Sequence, residues 1–193
     1  MRNQSKRVLS CSRDTARRRV RAHPLSDEEI VEAVLAAWAE LAATTTSTGL
    51  NLVSELGIAP RAIGDLLEKL IVRRLADAQP ELWRGELCRH DKDAVCLVSD
   101  RYSFEIKTST SKASLAGNKS YASSSADARK SKHGYYLVVN YDHPQRTQHP
   151  AVRSIRFGWL DQEDWQPQSS DTGQQSRIRR CDAARQLLTL YEA

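Results

Sequence analysis

The sequence predicts a single α+β or mixed α/β domain. Three observations carry this: an apolar helical period behind a capping signal at Ser26, a second helical stripe after Pro60, and short β-patterned runs between Ala94 and Leu160 before a closing helix. The 193 residues, 40% of them apolar, fit one domain of ordinary size with a real core.

Ser26-Asp27-Glu28-Glu29 reads as a capping box, and Leu25 is placed to staple onto Ile30. Ile30, Val31, Val34, Leu35, Trp38 and Leu41 then keep a helical period, and Thr44–Gly49 ends it as a loop. After Pro60, the residues Ile63, Leu66, Leu67, Leu70, Ile71 and Leu75 recur on one helical face, with Glu68 at its edge. Arg74 falls within the stripe, and the pattern gives no account of it. Two apolar runs, Ala94–Val98 and Tyr102–Thr108, read as a hairpin around Ser99-Asp100-Arg101. Gly134–Tyr141 and Val152–Leu160 read as third and fourth strands, in a mostly antiparallel sheet. Residues 166–176 are polar, and Cys181–Tyr191 reads as a short terminal helix.

Charge is local. The chain carries net +5, yet residues 1–22 hold eight Lys/Arg against Asp14 alone, which leaves the remainder slightly acidic. Residues 1–23 therefore read as a flexible basic arm, suited to a polyanion, and residues 24–193 as the folded domain. The start lacks an apolar h-region, and no apolar run is long enough to span a bilayer. Cys11, Cys88, Cys96 and Cys181 are scattered, which reads as reduced thiols in the cytoplasm of a bacterium. Cys88, His90 and Cys96 lie near one another, but a fourth zinc ligand at sensible spacing is missing.

The second hairpin strand carries the chemistry. Alternation sends Tyr102, Phe104 and Ile106 into a core and Ser103, Glu105 and Lys107 to the opposite face. An acid and a lysine at this spacing are common by chance, and alone would form an ordinary surface ion pair. The preceding strand adds a second acid. With a three-residue turn, Val98 pairs with Tyr102, Asp93 faces Lys107, and Glu105 is its diagonal neighbour at roughly 7–8 Å. Two carboxylates and the Ile106 carbonyl are hard oxygen donors of the kind Mg²⁺ takes, and a nearby ammonium can handle a water and neutralise phosphate. Asp93, Glu105 and Ile106 are thus the expected metal ligands, Lys107 the water-handling cation, and Glu68 an additional catalytic carboxylate.

Asp93, eleven intervening residues, then Glu105-Ile106-Lys107-Thr108-Ser109 resembles the PD-(D/E)xK nuclease signature in its restriction-enzyme form. The helix segment Gly64-Asp65-Leu66-Leu67-Glu68 resembles that superfamily's acidic helix. Gly117–Ala122 and Gly158–Gln174 are similar to type II enzymes of the ScaI group. The resemblance covers roughly residues 60–190. It implies a central mixed β-sheet flanked by helices, Mg²⁺ as cofactor, and a homodimer cutting a palindromic double-stranded DNA site to leave 5′-phosphates. Lys92 departs from the pattern, standing where the signature name has proline.

The stretch from Lys107 to Lys132 holds six bases and one acid, Asp127, among many Ser and Thr. Composition alone fits a solvated loop. Beside a phosphodiesterase site, cations hold phosphates while amides and hydroxyls read bases. Asn118, Lys119 and Ser120 are the expected readers, with Ser109 at the start of this stretch; Lys112, Arg129 and Lys130 are the expected phosphate clamps. Other readings remain open at this point: a junction resolvase or mismatch-nicking enzyme on the same fold, or a DNA-binding module with structural acids. An RNA-binding protein would need an aromatic stacking surface. A His-based nuclease would need paired histidines, which His143 and His149 in a Pro-containing loop do not supply.

Overall fold

Residues Arg13–Arg21 form a helix, α1, although arginine dominates the segment. Ala16 and Val20 fall one turn apart, and both are buried against the body of the protein. The computed structural model describes residues 13–111, 115–118, 132–167 and 175–193. The expectation of an unpacked stretch over residues 1–23 therefore differs from the structure at 13–23. Ala16, Val20 and His23 dock the segment, with Tyr135 Oη donating to the Arg19 carbonyl at 2.8 Å and the Arg19 guanidinium over the Trp159 ring. Next to α1, His23 is buried among the rings of Trp83, Tyr102, Phe104, Tyr135 and Phe157. Leu25 N–H donates to its Nδ1 at 3.2 Å, and its Nε2 lies 3.0 Å from the Tyr102 carbonyl, so the neutral ring carries its proton on Nε2.

Helix α2 (Asp27–Ala43) starts at the expected capping box, with both reciprocal bonds present. Ile30, Val34 and Leu41 on its apolar face are buried, and Trp38 donates to the Pro150 carbonyl at 3.2 Å. Helix α3 (Pro60–Ala78) begins with proline, whose missing N–H costs nothing in a first turn. It packs against α2 and carries Glu68 towards the sheet. Arg74 finds its account here, as its guanidinium pairs with Glu40 of α2 at 2.7 Å.

Six strands form the main sheet: β1 (Trp83–Gly85), β2 (Ala94–Cys96), β3 (Phe104–Ser109), β5 (Gly134–Tyr141), β6 (Val152–Leu160) and β9 (Leu187–Glu192), in that spatial order. The β3–β5 pair is parallel and all others antiparallel, a central mixed sheet with flanking helices. A three-stranded antiparallel sheet of β4 (Ala116–Asn118), β8 (Gln175–Ile178) and β7 (Trp165–Pro167) supplies a second core with Leu115, Tyr136, Val138 and Leu160.

Two local expectations are corrected. The β2–β3 connection is longer than three residues and contains a 3₁₀ turn at Asp100–Tyr102. Ala94 therefore pairs with Phe104, two positions away from the expected register. Second, the chain end is helical only over α4 (Arg180–Gln186) and then becomes the edge strand β9. The open edge of β6 offers a hydrogen-bond ladder to the β-prone Leu187–Glu192. Gly158 of β6 lets the backbone at Gln186–Leu187 approach where a side chain would collide. Among the described residues, no helix is long and apolar enough to cross a membrane.

Candidate active site

Register decides what the hairpin brings together. One step beyond the Ala94–Phe104 pair, Asp93 comes level with Glu105, and Lys107 becomes the diagonal neighbour. The expected roles of opposite and diagonal partner are exchanged. A slip of two preserves the pleat, whereas a slip of one would have sent Asp93 to the other face.

The cluster is compact and deep. The Lys107 ammonium lies 3.3 Å from Glu105 Oε2 and 3.7 Å from Asp93 Oδ2. Glu105 is buried, its side chain only 1% exposed, and that of Asp93 is 8% exposed. Ile106 N–H donates to Asp93 Oδ2 at 2.7 Å, which ties the end of one strand to the middle of the next. Lys107 Nζ also donates to the Ile106 carbonyl at 2.9 Å. Burial works against the Lys107 charge, but Asp93, Glu105 and Glu68 outweigh it and raise its pKa above the usual lysine value.

Glu68 joins from α3. Burial, then the charge of Asp93, pushes its carboxyl up to about 7, against the pull of Lys107 and Lys69. Lys69 lies 3.8 Å from Glu68 and 2.6 Å from Glu86, so this carboxylate is not isolated. Gly64 explains how α3 comes close enough: a Cβ there would run into Thr108 of β3, so glycine lets the helix rest on the strand one turn before Glu68.

Neighbouring residues that sequence reasoning left without a role hold the cluster in place. Arg84 of β1 pairs with Asp91 at 2.7 Å, and Leu87 N–H donates to the same carboxylate at 3.0 Å. The guanidinium and this backbone bond hold the Asp91 carboxyl well below the usual range, and the loop entering Asp93 is fixed. Lys92, in the position of the signature's proline, is buried. Its ammonium donates to the His133 carbonyl at 2.8 Å and lies 5.7 Å from the centre of the Tyr136 ring. It ties the loop before Asp93 to the start of β5, a long-range contact that no local pattern reveals.

The donor set fits a hard divalent cation. Oxygen is the only donor type: the Asp93 and Glu105 carboxylates, the Ile106 carbonyl and the nearby Glu68. The cluster sets the Asp93 and Glu105 carboxylates against the single ammonium between them, and Glu68 is raised by its burial first and by the charge of Asp93 second. Among the described residues, no three His, Cys, Asp or Glu side chains form a ready-made metal cage.

The comparisons with known proteins decide the family. The sequence matches the family model described as ScaI restriction endonuclease over residues 11–191. The chain belongs to the ScaI restriction endonuclease family. It is 36% identical over 183 residues to the type II restriction enzyme ScaI of Streptomyces caespitosus, covering 92% of this chain and 79% of that protein. No solved structure matches it. As a member of this restriction endonuclease family it is a site-specific endodeoxyribonuclease, its substrate partner is DNA, and enzymes of this type generally use a divalent metal ion.

For this family member the expected DNA contacts fall unevenly. Ser109 ends β3, half-buried, and its Oγ accepts from Ser111 N–H at 3.1 Å. Asn118 lies in β4, its backbone level with Gln175 of β8. Lys112, Lys119, Ser120, Arg129 and Lys130 lie outside the described residues.

Proposed function

We propose that this restriction endonuclease is a Mg²⁺-dependent homodimer that hydrolyses phosphodiester bonds in a palindromic double-stranded site, leaving 5′-phosphates. One observation carries the assignment of its site: two buried carboxylates from adjacent strands flank a lysine on one face of the sheet. Asp93, Glu105 and the Ile106 carbonyl would hold the metal, and Glu68 lies close enough to add a further carboxylate. Bound Mg²⁺ would acidify a water and stabilise the charge that builds on the phosphate.

The remaining work falls to side chains. The raised pKa keeps Lys107 an ammonium at neutral pH, which favours orienting water and neutralising phosphate over taking a proton. Lys107 Nζ takes one lone pair of the Ile106 carbonyl, and the second lone pair is left for a metal. Glu68, pushed up to about 7 by burial and by Asp93, would give up its proton when a cation enters beside it. Asn118, Lys119, Ser120 and Ser109 read the bases, while Lys112, Arg129 and Lys130 clamp phosphates. The basic N-terminal arm adds attraction to the DNA backbone. Two-fold pairing of subunits matches a palindrome, as each copy reads one half-site. The enzyme works in the bacterial cytoplasm, where its DNA substrate is found.

Digestion of genomic DNA by the purified protein in Mg²⁺, followed by sequencing of the fragment ends, tests this reading. One recurrent palindrome bordered by 5′-phosphates is expected. Random ends, or cutting only at branched or mismatched DNA, would reject it.

A further inference from the structure

Lys107, Val138 and Arg156 are register partners across β3, β5 and β6, so Arg156 lies in the catalytic lysine's own row and on the same face of the sheet. Ser109, Asn140 and Ser154 form the next row. Asn140 is buried and fully engaged. Its Nδ2 donates to the carbonyls of Ser111 at 2.7 Å and Ser109 at 3.5 Å. Its Oδ1 accepts from Ser154 Oγ at 3.1 Å and from Arg156 Nη2 at 3.0 Å. One amide thus joins the chain leaving the catalytic strand to the arginine of β6.

Arg156 differs from its neighbours in what it lacks. Arg153, three residues earlier on the same strand, has Asp142 at 2.7 Å; Arg84 and Arg74 have Asp91 and Glu40, each at 2.7 Å. Arg156 is half-buried, its Nε–H is buried and meets no hydrogen-bond acceptor, and no carboxylate pairs with it among the described residues. Burial lowers its pKa. A guanidinium taken partly out of water, with no carboxylate beside it among the described residues, suits an anion supplied from outside.

We infer that Arg156, held in place by Asn140, binds a DNA backbone phosphate flanking the one cut at Asp93, Glu105 and Lys107. The inference rests on the catalytic reading of that cluster. Two strand spacings separate Arg156 from Lys107, about 10 Å at the backbone, and Asn140 of the next row holds its guanidinium, so it is placed for a phosphate beside the scissile one. Asn140 is a positioning residue: it fixes Nη2, and with Nε buried it is Nη1 that is left for the ligand.

The test uses full-length parent, Arg156→Gln and Arg156→Lys with two short duplexes, one carrying the cleavage site and one of random sequence, in Ca²⁺ across a salt series. Arg156→Gln is expected to weaken binding to both duplexes about ten-fold and to reduce the salt slope by about one; Arg156→Lys should keep the slope. Unchanged affinity and slope in Arg156→Gln would overturn the inference. So would a loss confined to the site-bearing duplex with the slope unchanged, because that outcome makes Arg156 a base reader. Should Arg156→Gln fail to fold, duplexes with a single neutral methylphosphonate decide the matter with the parent and Arg156→Lys. Neutralising the flanking phosphate should weaken the parent clearly, and an undiminished affinity at every flanking position would overturn the inference. Cleavage by the parent in Mg²⁺ is scored separately. A parent that cuts at a defined site while Arg156→Gln binds like it sinks the phosphate contact alone, whereas a parent that cuts no DNA removes the catalytic reading and the inference with it.

Discussion

Asp93 accepts the backbone N–H of Ile106 at 2.7 Å, so one carboxylate both faces the Lys107 ammonium and closes the hydrogen bonding of the strand beside it. Its charge and its acceptor role are separable. Asp93→Asn keeps an acceptor for the buried N–H, while Asp93→Ala leaves that donor without one. Asp93→Ala should therefore lose on the order of 1–3 kcal/mol relative to Asp93→Asn in urea unfolding. Equal stabilities would show that the bond contributes nothing to the fold.

Lys107 is the counter-charge of a buried acidic pair. Lys107→Met should destabilise the metal-free protein on the order of 3 kcal/mol, because it removes one partner of a buried ionic group. A divalent cation can replace the missing charge, so Ca²⁺ should raise the melting temperature of the variant more than that of the parent. Cleavage in Mg²⁺ should fall at least ~100-fold. Identical Ca²⁺ shifts in both proteins would count against the oxygen cluster as a cation site.

His23 links stability to pH. Burial lowers its pKa from 6.5 to about 4, outweighing the backbone bond to Tyr102. The folded value lies below the unfolded one, so the unfolded chain binds the proton first. Its contribution is intact above about 6.5 and lost as pH falls towards 4, at most on the order of 3 kcal/mol. In His23→Gln the drop in unfolding free energy between pH 7 and pH 5 should be smaller than in the parent. An unaltered drop would mean that other groups set the acid limb.

Gly64 and Thr108 set the seat of α3 on β3. Gly64→Ala should destabilise the protein by about 1–3 kcal/mol through overpacking and slow cleavage by moving Glu68. Thr108→Ala removes the hydroxyl that the new methyl would meet. The double variant should therefore be more stable than the two single effects predict, by at least ~0.5 kcal/mol in a double-mutant cycle. Strict additivity would place the strain elsewhere.

The features legible in the sequence were those written in neighbouring residues. The Ser26–Glu29 box, the apolar stripe after Pro60 and the alternation of faces along Phe104, Glu105, Ile106 and Lys107 are local, and each appears in the fold, although Glu105 is as buried as its apolar neighbours. Asp93 reached the correct face despite a misread turn, because the two-residue slip conserved the pleat. Long-range partners were not legible. Pattern alone does not announce that β3 pairs in parallel with β5, that the edge of β6 draws Leu187–Glu192 into a strand, or that Arg13–Arg21 docks through Ala16 and Val20. The same holds for Lys92, whose partner is His133, far away in the chain.

The central claim is that Asp93 and Glu105 form the hydrolytic centre. Single-turnover cleavage of a duplex carrying the recurrent site, measured in Mg²⁺ for the parent, Asp93→Asn and Glu105→Gln, tests it most directly when binding of the same duplex is measured in Ca²⁺. The account predicts that both variants bind like the parent and that their cleavage rates fall at least ~100-fold, as each loses one anionic ligand of the catalytic cation. Near-parental cleavage by either variant at ordinary Mg²⁺ would contradict it.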